Sequence, residues 1–416
     1  FSAGSSTNTV TYNVNFGQKP FKFPPPDGFQ PLNFANTRPE TVILRPDQYV
    51  GVVTYTSDSS NPISIRSFNF KPDMVWGKDR DGNNNWHQFD SVRGPDRSLD
   101  TSGTGGESDW SSYFLSFDDN GFTVAAGNHD LNRSTNKMCA WAWKAGGAPT
   151  ADNTQTSGAM TANSVSLDGV LQSAYTPSGS PSTYPKRMSI GTKQGFSIVQ
   201  FVGNATNRTL PHGLGKPAKF MIVKNMDTGS TGWAVYHDAI GATETNNYIE
   251  ISNGSAGQDD TAFQDTAPTS DVFSIGTKAA TNNDTDNTIA WIWADVPGLQ
   301  KFGQFEGNGN DDGPFIELGF RPAILMLKCV DNSGDNYDWR IIDNARELFN
   351  HGSGSRYLIP HKTDNDAQNS PIDFLSNGFK IRKSTGEVNE NSHTFVYAAW
   401  AEAPSVDLYG GGANAR

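Results

Sequence analysis

Short apolar runs with a period of two recur along the whole chain, and turn-forming residues separate them. In residues 140–143, for example, two tryptophans fall on one face of a pleated strand and two alanines fall on the other. Gly, Asn, Asp, Ser and Thr are abundant between such runs, whereas long amphipathic helical patterns are nearly absent. The pattern predicts an all-β protein made of many short strands.

One order of features occurs three times along the chain. A proline precedes an apolar strand, a tryptophan follows the next polar turn, and an aromatic strand ends on a second tryptophan. The three sets are Pro72, Trp86 and Trp143; Pro217, Trp233 and Trp293; and Pro322, Trp339 and Trp400. The two tryptophans of each set are 57, 60 and 61 residues apart, so the spacing is nearly constant. Three copies of one structural unit are therefore predicted.

Each copy has the length and the number of short strands that suit a two-sheet sandwich. We predict three tandem antiparallel β-sandwich repeats, jelly-roll or concanavalin-like, at residues 49–147, 192–300 and 301–404, with a closed barrel as the lesser alternative. The dipeptides Asn120-Gly121 and Asn377-Gly378 are predicted to be turns in which glycine supplies a positive φ.

The segments outside the copies have a different composition. Residues 148–191 are rich in Ser, Thr, Pro and Gly and are predicted to be a linker or insertion, with one strand near residues 165–170. Residues 1–48 contain three consecutive prolines, which favour an extended arm, and residues 405–416 are predicted to be a C-terminal tail. Because residue 1 is Phe, we expect the chain to be the remainder of a longer polypeptide.

Charge and cysteine content narrow the classes of partner. The formal net charge is −12 and no cluster of Lys and Arg is present, so nucleic acid is not an expected partner. No apolar run has the length of a membrane span, so no membrane insertion is expected. Cys139 and Cys329 lie far apart in separate apolar runs and are predicted to be buried free thiols.

The sequence contains no motif that would supply catalysis. Zinc-binding histidine pairs, a serine nucleophile elbow and phosphate-binding glycine loops are all absent, so no catalytic, cofactor-binding or metal-binding residue is predicted. Asp90, Asp238 and Asp343 follow the first tryptophan of each copy and are interpreted as acceptors for turn amides. The Asn- and Asp-rich loops at 79–83 and 308–313 resemble calcium loops only in part and are interpreted as solvated turns.

Sugar binding is the one ligand class that particular residues favour. Trp110 and Tyr113 lie in a Gly-rich stretch that has no counterpart in the other two copies. Exposed aromatic rings can stack on the apolar face of a saccharide, so these two residues are a candidate glycan contact. The alternative is that both rings simply pack beneath the loop.

The order of motifs resembles a family of phage proteins. The run Asn15-Phe16-Gly17-Gln18-Lys19-Pro20-Phe21 resembles the closing strand of a SPRY domain. In virion proteins of marine phages of the cyanophage and pelagiphage type, similar endings precede repeats with Lys-Pro, Asn-Gly-Phe and a Trp-rich closing strand, as here. The ending over residues 408–416 is also similar. Almost all of a SPRY domain is missing before Phe1, so its contribution is not defined.

The resemblance implies a structural virion component, such as a tail fibre or similar appendage, with no catalytic residues. Its expected place is the extracellular particle, and its expected partners are other virion proteins, copies of itself in a homo-oligomer, and a host-surface glycan. Two alternatives stay open: a secreted carbohydrate-active enzyme and a lectin-like glycan-binding module. A cleft with paired, unrepeated carboxylates would favour the enzyme.

Overall fold

Apolar runs and intervening turns form an almost purely β structure, and the computed structural model describes residues 42–240, 248–255, 261–347, 350, 354–405 and 412–414. Most of the predicted arm, residues 1–41, lies outside the described residues, as does most of the predicted tail. The described helical elements are three 3-10 turns at Pro46–Gln48, Asp238–Ile240 and Asp335–Tyr337, and one short helix, α1, at Ala279–Asn282.

The first strand group contains nine strands. They are β1 (Val50–Thr56), β2 (Ile63–Ile65), β3 (Met74–Asp79), β4 (Trp86–Asp90), β5 (Gly94–Leu99), β6 (Ser108–Asp109), β7 (Phe114–Asp118), β8 (Gly121–Val124) and β9 (Lys137–Trp143). A large sheet has the order β1-β9-β3-β4-β5-β6, and a small sheet has the order β2-β8-β7. Neighbouring strands within this group pair in the antiparallel direction.

The second strand group contains ten strands. They are β10 (Val165–Leu167), β11 (Val170–Leu171), β12 (Arg187–Gly191), β13 (Phe196–Val202), β14 (Arg208–Pro211), β15 (Phe220–Asn225), β16 (Ala234–His237), β17 (Ile249–Glu250), β18 (Val272–Ile275) and β19 (Asn287–Trp293). The large sheet runs β11-β10-β12-β13-β19-β15-β16-β17, and β14 pairs with β18. The predicted linker 148–191 thus supplies three strands instead of one, and β10 pairs with β12 in parallel.

The third strand group repeats the order of the first. Its strands are β20 (Gln300–Glu306), β21 (Phe315–Glu317), β22 (Phe320–Cys329), β23 (Arg340–Asp343), β24 (Ser355–Leu358), β25 (Ala367–Ser370), β26 (Ile372–Leu375), β27 (Gly378–Ile381) and β28 (Thr394–Pro404). The large sheet runs β20-β28-β22-β23-β24-β25 and the small sheet β21-β27-β26. The closing strands β9, β19 and β28 hold the same place in the three large sheets: they lie between β1 and β3, between β13 and β15, and between β20 and β22.

Each closing strand separates two hydrophobic cores, as its period of two predicts. In β9, Trp141 and Trp143 point into a core shared by all three groups, which we call the central core. Ala140 and Ala142 point into a separate core between the two sheets of the first group. The second and third groups have corresponding outer cores of their own. Nine of the ten tryptophans lie in the central core, and Trp110 is the exception.

The last tryptophans of the three closing strands meet at one place in the central core. Ring centroids are 5.4 Å apart for Trp143 and Trp400, 5.8 Å for Trp293 and Trp400, and 6.2 Å for Trp143 and Trp293. All three pairs are edge-to-face, with interplanar angles of 68° to 70°. This geometry places the positive edge of one indole against the negative face of the next.

The glycines of the two Asn-Gly dipeptides serve a different purpose from the one predicted. Neither Gly121 nor Gly378 has a positive φ, so that prediction was wrong. A Cβ at Gly121 would instead lie 1.6 Å from the carbonyl oxygen of Ile65, and one at Gly378 would lie 2.0 Å from that of Ile316. Glycine is needed here because two backbones of the small sheet approach closely.

Candidate functional site

Trp110 and Tyr113, the predicted glycan contacts, lie next to each other in the turn between β6 and β7. The backbone N–H of Tyr113 donates to the carbonyl oxygen of Trp110 at 2.8 Å, which brings the two side chains to the same side of the turn. Their ring centroids are 5.1 Å apart in an edge-to-face arrangement. Tyr113 is 40% exposed, whereas Trp110 is half-buried against the outer core of the first group. The turn therefore presents one exposed ring supported by another.

Two histidines complete this group of rings, which we call the aromatic surface (His87, Trp110, Tyr113 and His129). The His87 ring lies beneath Trp110 with 3.7 Å between centroids, and the His129 ring lies 4.8 Å from Tyr113. Burial lowers the pKa of His129, so this ring is neutral at pH 7. The aromatic surface can thus offer stacking rings and the polar edge of an uncharged His129.

His87 connects a serine and a carboxylate that are distant in sequence. Its Nδ1 lies 2.9 Å from Ser98 Oγ, and its Nε2 lies 3.1 Å from Asp130 Oδ2. Burial alone would raise the pKa of Asp130, but hydrogen bonds and charges from His87 and Arg133 lower it overall. These three residue types also form catalytic triads, but Ser98 is completely buried and no substrate can reach its hydroxyl. The array holds the His87 ring in place under Trp110.

The repeated aspartates bind turn amides in two of the three groups. Asp90 Oδ1 accepts the backbone N–H groups of Val92 and Arg93, and Asp90 Oδ2 accepts Arg93 Nε at 2.6 Å. Asp343 makes the same three hydrogen bonds with Ala345 and Arg346. The prediction of a structural role is met at both positions.

Asp238 departs from this pattern. Its Oδ2 accepts Lys219 Nζ at 2.5 Å, and both side chains are about a third exposed. Asp238 therefore forms a surface ion pair and does not accept turn amides as Asp90 and Asp343 do. The prediction of a turn acceptor was wrong at this position.

The two calcium-like loops use their oxygens for hydrogen bonds within the protein. Asp79 is completely buried and accepts the backbone N–H groups of Asp81 and Gly82 together with the Asn136 amide. In the second loop, Asp311 accepts the backbone N–H of Ser384, and Asp312 forms an ion pair with Lys380 at 2.6 Å. These loops are closed turns. Within the described ranges, no group of three or more His, Cys, Asp or Glu side chains is placed to hold a metal ion.

Buried lysines connect the strand groups, and the sequence reasoning did not identify this function. Lys78, Lys224 and Lys328 are completely buried at matching positions in β3, β15 and β22, and we call them the cross-group lysines. Lys78 donates to the carbonyl oxygen of Thr363, Lys224 to that of Thr104, and Lys328 to that of Gly254, at 3.1 to 3.2 Å. The first group thus binds the third, the second binds the first, and the third binds the second.

Three tryptophans follow the same cyclic order. Trp86 Nε1 donates to the carbonyl oxygen of Lys362 at 2.9 Å, Trp233 Nε1 to that of Gly103 at 3.2 Å, and Trp339 Nε1 to that of Glu250 at 2.7 Å. Each acceptor lies in the same group as the acceptor of the matching lysine. The sequence signal for the contacts between groups was a charged side chain, Lys78, Lys224 or Lys328, in each of three mainly apolar strands.

Burial also affects the charge of the cross-group lysines. It lowers the pKa of each one to about 8, although neighbouring carboxylates act in the opposite direction. The hydrogen bonds to carbonyl oxygens stabilise the charged form at neutral pH. Cys139 and Cys329 are buried free thiols, as predicted.

Two overlapping regions, residues 45–184 and residues 171–404, match the family DUF7483, described as a domain of unknown function. Together they cover most of the chain. No curated protein sequence matches the chain, and no solved structure matches it either. No helix in the described part of the chain is long and apolar enough to cross a bilayer.

Proposed function

We propose that this chain, which belongs to the DUF7483 family, is a non-enzymatic structural component of a phage virion, a tail fibre or similar appendage. The observation that supports a scaffold most strongly is the cyclic set of hydrogen bonds between the strand groups. A closed ring of buried contacts resists bending and separation, because no group can move away without breaking contacts to both neighbours.

The proposal includes the architecture. We interpret the three strand groups as three β-sandwich repeats arranged around a pseudo-threefold axis that passes near Trp143, Trp293 and Trp400. The similar sheet orders, the separate outer cores and the cyclic lysine and tryptophan contacts support this interpretation. The second repeat then differs from the others by the three strands added from residues 148–191.

The placement in a virion is supported by the resemblance to marine phage proteins. The proposed partners are other virion proteins and copies of the chain itself. The buried side chains of Asp90, Asp343 and Lys328 are engaged in hydrogen bonds that fix turns or join groups, which suits a scaffold more than a reaction centre.

The test is the location of the protein among the products of infection. Particles purified through a density gradient should contain the chain at a fixed copy number, measured by quantitative mass spectrometry against a known capsid protein. A density map of the particles should contain a region into which the three strand groups fit around their central core. Recovery of the chain only from the particle-free supernatant would contradict the proposal.

Glycan binding at the aromatic surface is the second candidate function. The specific observation is the exposed ring of Tyr113 next to Trp110, at a turn with no counterpart in the other groups. Binding of the isolated chain to a glycan array, lost in Tyr113→Ala and kept in the exposed control Leu115→Ala, would support it. Equal binding by both variants would contradict it.

A further inference from the structure

A cleft of about 690 Å³ lies where the first strand group meets the inserted segment 148–191. One wall comes from the turn between β4 and β5 and from β7, and the other comes from residues 144–149 and the strands β10 to β12. Because this segment occurs only between the first two groups, the cleft has no equivalent by sequence in the third. It is separate from the aromatic surface, none of whose four residues lines it.

The wall formed by residues 144–149 and the strands β10 to β12 is held in place by hydrogen bonds of Gly146. Gly146 donates its N–H to Ser189 Oγ at 2.9 Å, and its carbonyl oxygen accepts the Ser166 hydroxyl at 2.6 Å and the Gly169 N–H at 2.8 Å. A Cβ at Gly146 would lie 2.2 Å from the carbonyl oxygen of Ile190, so a larger residue does not fit. The cleft is therefore formed before any ligand binds.

The charged residues that line the cleft are mostly basic. They are Lys71, Asp73, Arg93, Lys144 and Arg187. Arg93 is buried and already neutralised by Asp90 at 2.6 Å. Arg187 forms an ion pair with Asp152 and donates to the carbonyl oxygen of Val92 at 3.1 Å.

The one acid among the lining residues interacts electrostatically with Lys144 but forms no ion pair with either lysine. Asp73 is buried, one of its carboxylate oxygens accepts the Ala145 N–H at 2.8 Å, and burial raises its pKa. Neither Lys71 nor Lys144 forms an ion pair or a side-chain hydrogen bond with a described residue. The Lys144 ammonium lies 6.0 Å from the centroid of the Tyr49 ring, and its charge lowers the pKa of Asp73 against the larger effect of burial. Two lysines that form no ion pair with a described residue thus line the cleft of a protein whose net charge is −12.

Apolar surface lies beside these charges. Phe117 and Pro149 line the cleft, as does Leu171, which is 39% exposed. A sugar ring has an apolar C–H face that such groups can cover, and its anionic substituents can reach ammonium groups at the rim.

We infer that the cleft binds an anionic saccharide, a glycan segment that carries carboxylate or sulfate groups. Neutral sugars would leave the two lysines without partners, and a nucleic acid would need a longer basic track than two lysines and one arginine provide. If the chain is a virion appendage, as proposed, this cleft is where it contacts the host surface. The identification of the ligand with the host surface rests on that proposed function, whereas the ligand chemistry is inferred from the cleft itself.

The test uses the full chain and two defined probes, hexagalacturonate as the anionic saccharide and maltohexaose as the neutral one. Titration calorimetry at low ionic strength should detect binding of hexagalacturonate, weakened by added salt, and little or no binding of maltohexaose. The double variant Lys71→Gln/Lys144→Gln should bind hexagalacturonate at least about tenfold more weakly, because two charge-assisted contacts are lost.

The matched control is Lys137→Gln/Lys383→Gln, which removes the same charge from two exposed lysines outside the cleft. It should bind hexagalacturonate like the unmodified chain. No binding of hexagalacturonate, equal binding of both probes, or equal weakening by both double variants would overturn the inference. So would loss of binding in Tyr113→Ala with the cleft variant unaffected, because the aromatic surface would then be the site.

The result is independent of where the protein resides. Absence of the chain from purified particles would contradict the virion proposal and leave the calorimetry unchanged. Failure of the calorimetry would overturn the cleft inference and leave the particle composition unchanged.

Discussion

The contact between Trp143 and Trp400 should couple the stabilities of the first and third strand groups. Trp143→Ala and Trp400→Ala each remove an aromatic side chain that is at most 3% exposed, so each should lower the free energy of unfolding by about 3–5 kcal/mol. The rings also meet edge-to-face at 5.4 Å, which adds about 0.5–1.5 kcal/mol beyond the burial of area. Either single variant alone already loses this edge-to-face contribution.

The double variant should therefore lose less than the sum of the two single losses, by about 0.5–1.5 kcal/mol. Urea unfolding followed by far-ultraviolet circular dichroism gives the four free energies without relying on tryptophan fluorescence. The control pairs Trp143→Ala with Phe273→Ala, since Phe273 belongs to the outer core of the second group, and should be additive within about 0.5 kcal/mol.

Trp143→Phe and Trp400→Phe keep the experiment interpretable if the alanine variants do not fold. Both indole N–H groups are buried without a hydrogen-bond partner, so phenylalanine removes an unsatisfied donor while it keeps a ring, and each change should cost less than about 1.5 kcal/mol. Strict additivity of Trp143 with Trp400, or single alanine losses below about 1 kcal/mol, would refute the assignment of these rings to one shared core.

Further predictions follow from the small sheets, the lysines and the aromatic surface. Gly121→Ala should lower the free energy of unfolding by at least about 3 kcal/mol, because its Cβ would overlap the carbonyl oxygen of Ile65, whereas Gly105→Ala, with no atom within 4 Å, should change it by less than about 0.5 kcal/mol. The folded-state pKa of each cross-group lysine, about 8, lies below the ordinary value of 10.5, so the unfolded chain holds more protons between these two pH values. The lysines should therefore raise the free energy of unfolding from pH 8 to pH 10, by about 2 kcal/mol per lysine, whereas the buried thiols of Cys139 and Cys329, whose pKa is raised by burial, act in the opposite direction. Lys328→Met should reduce this rise by about 2 kcal/mol in urea unfolding, and an unchanged pH dependence in that variant would contradict the assigned burial. His87→Ala should cost about 2–4 kcal/mol in urea unfolding, because the buried Ser98 and the partly buried Asp130 lose their hydrogen bonds. Tyr113→Ala should cost less than about 1 kcal/mol, and the reverse order would show that the exposed ring is the structural one.

The sequence predicted the features that depend on local geometry. A period of two placed Trp141 and Trp143 on one face of β9, because side chains on a strand alternate whatever the fold. Repetition of Asp90 at Asp343 indicated a turn acceptor, and both residues make the same hydrogen bonds. Such predictions need only neighbouring residues and the regular geometry of a strand.

Long-range packing was outside the reach of this reasoning. The pattern showed that the tryptophans face a core but not that three sheets share one core. The partners of the cross-group lysines could not be predicted from the sequence, because their acceptors lie in another strand group. His87, Ser98 and Asp130 come together only through the fold. Residues 148–191 have the composition of a linker, yet three of their short runs find partners on the edge of the second sheet.

The cyclic contacts impose an order on synthesis. Lys78 binds an acceptor 285 residues further along the chain, whereas the acceptor of Lys224 precedes it by 120. When the first β strands leave the ribosome, the second group can cover only part of their tryptophan-bearing face, and the rest stays uncovered until the final third is translated. We expect chaperones to bind this exposed apolar surface during synthesis. Formation of the last sheet should be the rate-limiting step of folding.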